Sequence, residues 1–382
     1  MNANRKLIYY PLILFIFIFL ADKLALIPVL QRYGRKESTS SENIQMALEQ
    51  NRRSRARKKT DGLDVAILGT SRSEMFYSLH PSVIKNNKYI SHQGEKRLLQ
   101  SDFDTVGIFR ASEILTHFLN FHVILRSSRR PDLILLEIGP EMFNSESPVG
   151  MNRTIKEIVI PPALLPALIG ITRGSRRQEF LYRLLFPSYA LRFRPEKILA
   201  NYFSGVDYKE ASELPVSIIK AHARVRPIPR GYREFHEKRI PLAQYNHYFK
   251  KYGNTILTKT FLRNYKYDRD EFRMLAALLL KARRAKLPIV VWMPPVHEFL
   301  EQGTRKTGYY RHHAAIRKLI QEANIPFWDG RRDFRSPCRY FVDCSHFSGR
   351  CAPWFMDQLL STALKRYPRL KSRLRQNREH SR

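Results

Sequence analysis

Three side chains in this sequence have the types and the order that nucleophilic catalysis requires: Ser71 early in the chain, Asp343 and His346 near its end. A serine hydroxyl is a weak nucleophile until a base takes its proton. Imidazole serves as that base when a carboxylate fixes its tautomer and stabilises the imidazolium. Asp343 and His346 stand three residues apart, so one loop can carry both. Ser73, two residues after Ser71, is the fallback nucleophile. The bland alternative is that Thr70, Ser71 and Ser73 cap a helix, and that the aspartate and histidine are an ordinary loop pair. Capping does not explain why the two blocks occur together and in this order.

The elements around each block would position it. Asp64-Val65-Ala66-Ile67-Leu68 is a short apolar run rich in β-branched residues, closed by Gly69, and reads as a buried strand. Ser73 to Tyr77 could begin a helix, which puts Ser71 on a strand-to-helix turn. Open α/β sheets bind their ligands at such turns, and a helix N-terminus there can stabilise a developing oxyanion. At the other end, a helix from Ala352 to Leu364 follows the Asp343–His346 loop. Between them, a helix from Ile114 to Leu125 precedes Pro131 and the apolar run Leu133–Ile138, an interior parallel strand. A helix from Asp270 to Ala285 leads into Leu287–Met293, a strand ended by Pro294 and Pro295, with His297 just beyond as a pocket or loop residue. A helix around Ala314 to Ala323 leads into a last strand, Ile325–Asp329. Strands separated by helices imply a parallel sheet covered on both faces.

With these residues in view, the chain resembles the SGNH/GDSL hydrolase superfamily. Gly69-Thr70-Ser71 stands where that family has its G-D-S nucleophile block, and Asp343-Cys344-Ser345-His346 where it has its D-x-x-H block. The resemblance runs loosely from Asp64 to about Leu364. It is closest to membrane-anchored bacterial branches, similar to SGNH domains that handle D-alanyl or O-acetyl groups on envelope polymers. A related domain family of unknown function shares the layout. The resemblance implies a three-layer α/β/α sandwich with a mostly parallel, flavodoxin-like sheet, Ser71 as nucleophile, His346 as base and Asp343 as its orienter. It implies no cofactor and no metal. The family draws oxyanion donors from a glycine in its second block and an asparagine in its third. Here the second block falls near Thr105–Ala111, with Gly107 its only glycine, and the third at Glu137–Glu141, with no asparagine until Asn144.

Composition bounds the partners. The chain has 382 residues and a formal net charge of +33, which favours polyanions such as nucleic acid, anionic lipid headgroups or an acidic envelope glycopolymer. Cys338, Cys344 and Cys351 flank the second block at a spacing that matches no metal template. In an extracytoplasmic domain one disulfide there leaves one thiol over; otherwise the three are small apolar side chains.

Arg5-Lys6 precede the apolar run Leu7–Leu20, and Asp22-Lys23 interrupt it before Leu24–Leu30. Fourteen residues of helix span about 21 Å, short of the roughly 30 Å of hydrocarbon, so the second run is needed to complete a span. Asp22 and Lys23 must then pair or snorkel. The expectation is an uncleaved anchor over residues 1–30; a buried helix of a soluble protein is the alternative. Residues 31–61 form a polar stalk ending in the basic run Arg52–Lys59, which anionic headgroups would attract. Arg32, Arg35 and Lys36 outnumber the basic residues before the helix, so the positive-inside rule points the main domain inward, while the resemblance points it outward. We follow the resemblance. The main domain covers 62–364, with a helical insertion over about 152–264 that either covers the sheet or forms a lid or membrane-contacting surface. A basic tail, 365–382, is expected to leave the fold.

The expected function is a membrane-anchored acyl esterase or O-acyltransferase acting on an acylated envelope polymer, with a membrane-bound acyl donor as a further candidate partner. The rival classes are a catalytically degenerate scaffold of the same fold and a basic nucleic-acid binder. No nucleic-acid module is present, and a membrane anchor argues against the latter.

Overall fold

The computed structural model of the chain describes residues 3–27, 29–30, 34, 63–79, 81–85, 87–105, 113–126, 130–147, 155, 160–191, 193, 195–203, 258–331, 336–338, 341, 344–372 and 374. The principal elements run α1 (Ala3–Asp22), β1 (Leu63–Leu68), α2 (His92–Leu99), β2 (Ser101–Thr105), α3 (Ile114–Arg126), β3 (Leu133–Glu137), α4 (Leu165–Ile171), α5 (Gly174–Leu185), α6 (Pro187–Ala190), α7 (Pro195–Phe203), α8 (Arg269–Arg284), β4 (Ile289–Met293), α9 (Glu298–Arg305), α10 (Tyr309–Glu322), β5 (Phe327–Asp329) and α11 (Ala352–Arg366). They fall into two compact units: residues 1–43 with 157–219, and residues 44–156 with 220–382.

The larger unit is built on a five-stranded sheet in the order β2-β1-β3-β4-β5, every neighbouring pair parallel. Of the four runs expected as strands, three are its central members and the fourth, Ile325–Asp329, is the edge strand β5. The side chains of the central members are buried without alternation, as interior parallel strands require. On one face Val65, Ile67, Leu133, Leu135, Val290 and Trp292 pack with Phe355, Met356, Leu359, Leu360 and Ala363 of α11. That spacing is one stripe of a helix. Strand residues of the other parity, such as Ala66, Leu68, Ile134, Leu136 and Val291, are buried as fully.

Helix ends follow from local chemistry. Asp268 caps α8 by accepting from the Asp270 and Glu271 amides, and Lys281, Arg283 and Arg284 occupy its last turn, where the helix dipole favours cations. On α2, Arg97 donates to Asp357 of α11 at 2.8 Å, docking the two helices. The tail does not leave the fold at Leu364. Leu370 and Leu374 join the core, and the Tyr367 hydroxyl donates to the Ile289 carbonyl at 3.0 Å.

The smaller unit contains α1 and α4–α7. Tyr9–Leu26 is long and apolar enough to cross a membrane, with a mean hydropathy of 1.8. Asp22 and Lys23, which the sequence requires to pair or snorkel, are paired. Asp22 accepts from the Ser188 amide at 3.2 Å and from its hydroxyl. Lys23 donates to the Leu185 carbonyl, pairs with Asp22 at 3.6 Å and lies 3.9 Å over the Phe19 ring. The stalk expected over 31–61 lies outside the described residues except Gly34, as does the insertion beyond Phe203 up to Thr258.

Candidate functional site

In a parallel sheet all C-terminal strand ends share one edge, and the order β2-β1-β3-β4-β5 reverses direction between β1 and β3. Ligands of open α/β sheets bind at such a reversal. The segments meeting there are Gly69–Ser71 after β1 and Ile138–Glu141 after β3, with Pro294–His297 next along after β4. Ser71 is the first residue of a 3-10 helix, Ser71–Ser78, capped by the Thr70 hydroxyl, which accepts from the Arg72 amide at 3.3 Å. A helix does begin there and Thr70 does cap it, so capping describes part of this stretch. The Ser71 side chain lies outside the described residues.

What organises the turn is Glu137, the last residue of β3. Its carboxylate is fully buried and accepts from the Thr70 amide at 2.9 Å, the Thr70 hydroxyl at 2.5 Å and the Ser73 hydroxyl at 2.6 Å. One side chain thus clasps the residues on both sides of Ser71. Ser73, the fallback nucleophile, is wholly buried and donates its proton to this carboxylate, so its place here is structural. Arg72 lies 3.7 Å from Glu137 and forms an ion pair with Glu141 at 2.5 Å. Burial works to raise the Glu141 carboxyl, but the adjacent Arg72 guanidinium, helped by Arg331, holds it below the usual carboxylate range. Two glycines make room for this cluster. A Cβ at Gly69 would overlap the Ser73 side chain, and one at Gly139 would overlap Glu141 and Arg72.

The second block comes to the same edge. The His297 amide donates to the Cys344 carbonyl at 2.9 Å, pinning the His346 loop to the end of β4. The 3-10 helix begun by Ser71 packs against the turn Gly349–Cys351, which follows His346. His346 is half-buried, and its Nδ1 lies 2.9 Å from Ser345 Oγ. Asp343 and Gly107 lie outside the described residues. A disulfide joins Cys338 to Cys351 and spans the loop; Cys344 is buried and lies outside that disulfide. His297 caps α9, accepting from the Phe299 amide at 3.3 Å, and packs on Phe341. Burial lowers its imidazole below the ordinary value, opposed by Glu298.

Asn144, the one asparagine near the third block, is buried and engaged elsewhere. Its Nδ2 donates to the Phe261 carbonyl at 2.8 Å, and its Oδ1 accepts from the Lys266 amide at 3.0 Å. Beyond it, the Tyr265 hydroxyl is buried without a hydrogen-bond partner, and burial, with help from Tyr267 and Glu141, keeps that phenol protonated. On α3, His117 is fully buried and neither ring nitrogen is hydrogen-bonded. Burial lowers it to about 4, opposed by the Glu137 backbone carbonyl from outside hydrogen-bonding geometry. Among the described residues no group of three His, Cys, Asp or Glu side chains could hold a metal ion.

Sequence reasoning missed Glu137 and its clasp. The signal available was a lone carboxylate ending an otherwise apolar strand, with a run of hydroxyl donors after the neighbouring strand. Such a group must find donors when buried. A search among curated proteins finds no match. A family described as a protein of unknown function, DUF1574, matches residues 3–363, nearly the whole chain, and the protein belongs to that family.

Proposed function

We propose that the chain is a membrane-anchored acyl-transfer protein of SGNH type, with Ser71 as nucleophile, His346 as base and Asp343 as the carboxylate that orients it. The observation that carries this reading is the packing of the helix begun by Ser71 against the turn that follows His346, at the strand-order reversal of the sheet. Burial of strand residues of both parities supports the three-layer α/β/α arrangement such a site belongs to.

On this reading the Ser71 hydroxyl attacks an acyl ester carbonyl while His346 takes its proton. The tetrahedral oxyanion forms at the N-terminus of the Ser71 helix, where backbone dipoles favour negative charge. Collapse expels the alcohol, which takes the proton back from His346 and leaves a seryl ester on Ser71. A second alcohol, or water, then gives its proton to His346 and attacks that ester; as the seryl C–O bond breaks, His346 returns the proton to the Ser71 oxygen and the acylated acceptor or the acid leaves. The Glu137 clasp keeps Thr70 and Ser73 fixed, so the turn does not reorganise during these steps.

The test is covalent. Full-length protein in detergent is treated with a fluorophosphonate probe, and the adduct is located by peptide mass spectrometry. We expect the adduct on Ser71, lost in Ser71→Ala and strongly reduced in His346→Ala, with the double variant little worse than either. Labelling that survives in Ser71→Ala sinks the assignment.

One specific feature favours a second reading, a non-catalytic scaffold of the same fold. Where the family has its third-block asparagine, Arg72 is paired with Glu137 and Glu141, and Asn144 is engaged with Phe261 and Lys266. Absence of any adduct on correctly folded wild-type protein puts the scaffold in front.

A further inference from the structure

The C-terminal half of helix α5 buries an arginine and exposes leucines. Residues 181, 184 and 185 lie on one side of a helix, because positions three and four apart are neighbours, and here they are Leu181, Leu184 and Leu185, all exposed, with Tyr182 beside them. Arg183 lies on the opposite side and Phe180 between that side and Leu184, and both are buried. Arg183 donates to Glu179 at 2.9 Å and lies 5.1 Å from the Tyr189 ring centroid, and the Tyr189 hydroxyl donates to the same Glu179 oxygen at 3.0 Å. An arginine is therefore held inside, with part-exposed Glu179 and exposed Tyr189 at its rim, while leucines point outward. In water this is the unfavourable arrangement. In a bilayer it is the expected one, because ionisable groups face protein partners and apolar side chains face lipid.

The position of α5 identifies the occupant. Its last residue, Leu185, receives the Lys23 ammonium on its carbonyl, and the Phe186 ring meets Phe19 at 6.1 Å. Asp22 holds Ser188 of α6. The C-terminal half of α5 is thus fixed beside the last turns of Tyr9–Leu26, the candidate span. Exposed Arg173 and Arg177 stand at its N-terminal half, where phosphate headgroups would meet them. Among the described residues, every exposed large apolar side chain except Leu99 and Leu280 belongs to this unit.

We propose that α5 and α6 form a second membrane contact: the Leu181–Leu185 face lies in the same bilayer leaflet in which α1 ends, bracing the anchor through Asp22, Lys23 and Ser188. This does not depend on the acyl-transfer reading. The test uses full-length protein in liposomes of phosphatidylethanolamine and phosphatidylglycerol. Leu181→Cys, Leu185→Cys and, as an aqueous control, exposed Lys318→Cys are each labelled with an environment-sensitive fluorophore; native Cys344 is buried. Quenching is read with doxyl lipid and with iodide. We expect labels at 181 and 185 to be quenched by doxyl lipid and shielded from iodide, and the label at 318 to show the reverse. Iodide quenching at 181 and 185 overturns the proposal. So does protection from both quenchers, which would mean that a protein surface covers this face. Should either variant fail to fold, Tyr182→Cys on the same face is read in its place.

Discussion

Glu137 replaces the asparagine-bearing logic expected of the third block with a buried acceptor that three donors share. Substituting leucine removes the acceptor and takes it from the Thr70 amide and from the Thr70 and Ser73 hydroxyls at once. Leaving one buried group unsatisfied costs about 1–3 kcal/mol, so Glu137→Leu should lower the melting temperature and, on the proposed function, abolish probe labelling at Ser71. An unchanged melt would show that the clasp does not hold the turn. His117 carries a pH signature of its own. The fold keeps its imidazole neutral, so as pH falls the unfolded chain takes the proton first. Stability from this group is complete above its ordinary value of 6.5 and is lost as pH falls to about 4. The total is about 3 kcal/mol at about 1.4 kcal/mol per unit. Chemical denaturation between pH 7 and pH 4 should show that decline in the wild type. His117→Leu, which removes two unsatisfied polar atoms, should flatten it and be no less stable at pH 7. A slope unchanged by the substitution would assign the decline to other groups.

At the scale of elements, legibility tracked burial. β1, β3 and β4 were readable because interior parallel strands must be largely apolar and were punctuated by Gly69 after β1, Pro131 before β3 and Pro294 after β4. β2 was not, because Ser101-Asp102-Phe103-Asp104-Thr105 pairs with β1 alone and, as an edge strand, can carry two aspartates. The insertion holding α5 was readable as helical, but the sequence left open whether it covers the sheet or meets a membrane. The site was half legible: both blocks reach one edge, whereas the buried carboxylate between them required the β1–β3 pairing to be seen. The Cys338–Cys351 bridge is an element-scale device for the His346 loop. Closing a loop of this length stabilises by about 3 kcal/mol. Cys338→Ala/Cys351→Ala should therefore melt earlier by several degrees and lose Ser71 labelling before losing the sheet, as read by far-UV circular dichroism. Labelling that persists at wild-type rate in that variant would mean that the bridge does not position His346.

For the whole molecule the open quantity is the side of the membrane on which the sheet unit lies, and two physical tendencies oppose each other. Arg32, Arg35, Lys36 and the run from Arg52 to Lys59 favour retention on the cytoplasmic side, since basic residues near a span set orientation. The Cys338–Cys351 bridge favours the other side, since disulfides persist in oxidising compartments and are reduced in the cytosol. The charge rule weakens for long domains, which translocate largely regardless of charge, and more than 300 residues follow α1. The redox rule does not weaken with domain length, since disulfides found in the cytosol are mostly transient, catalytic or redox-sensing. We therefore expect an extracytoplasmic sheet unit. A reporter active only after export, fused after Arg382, should be active, and a reporter active only in the cytosol should not. Cys338 and Cys351 should resist maleimide in whole-cell protein until a reductant is added. The opposite reporter pattern, with both thiols free at once, would place the site in the cytosol. It would also remove envelope polymers from its substrates.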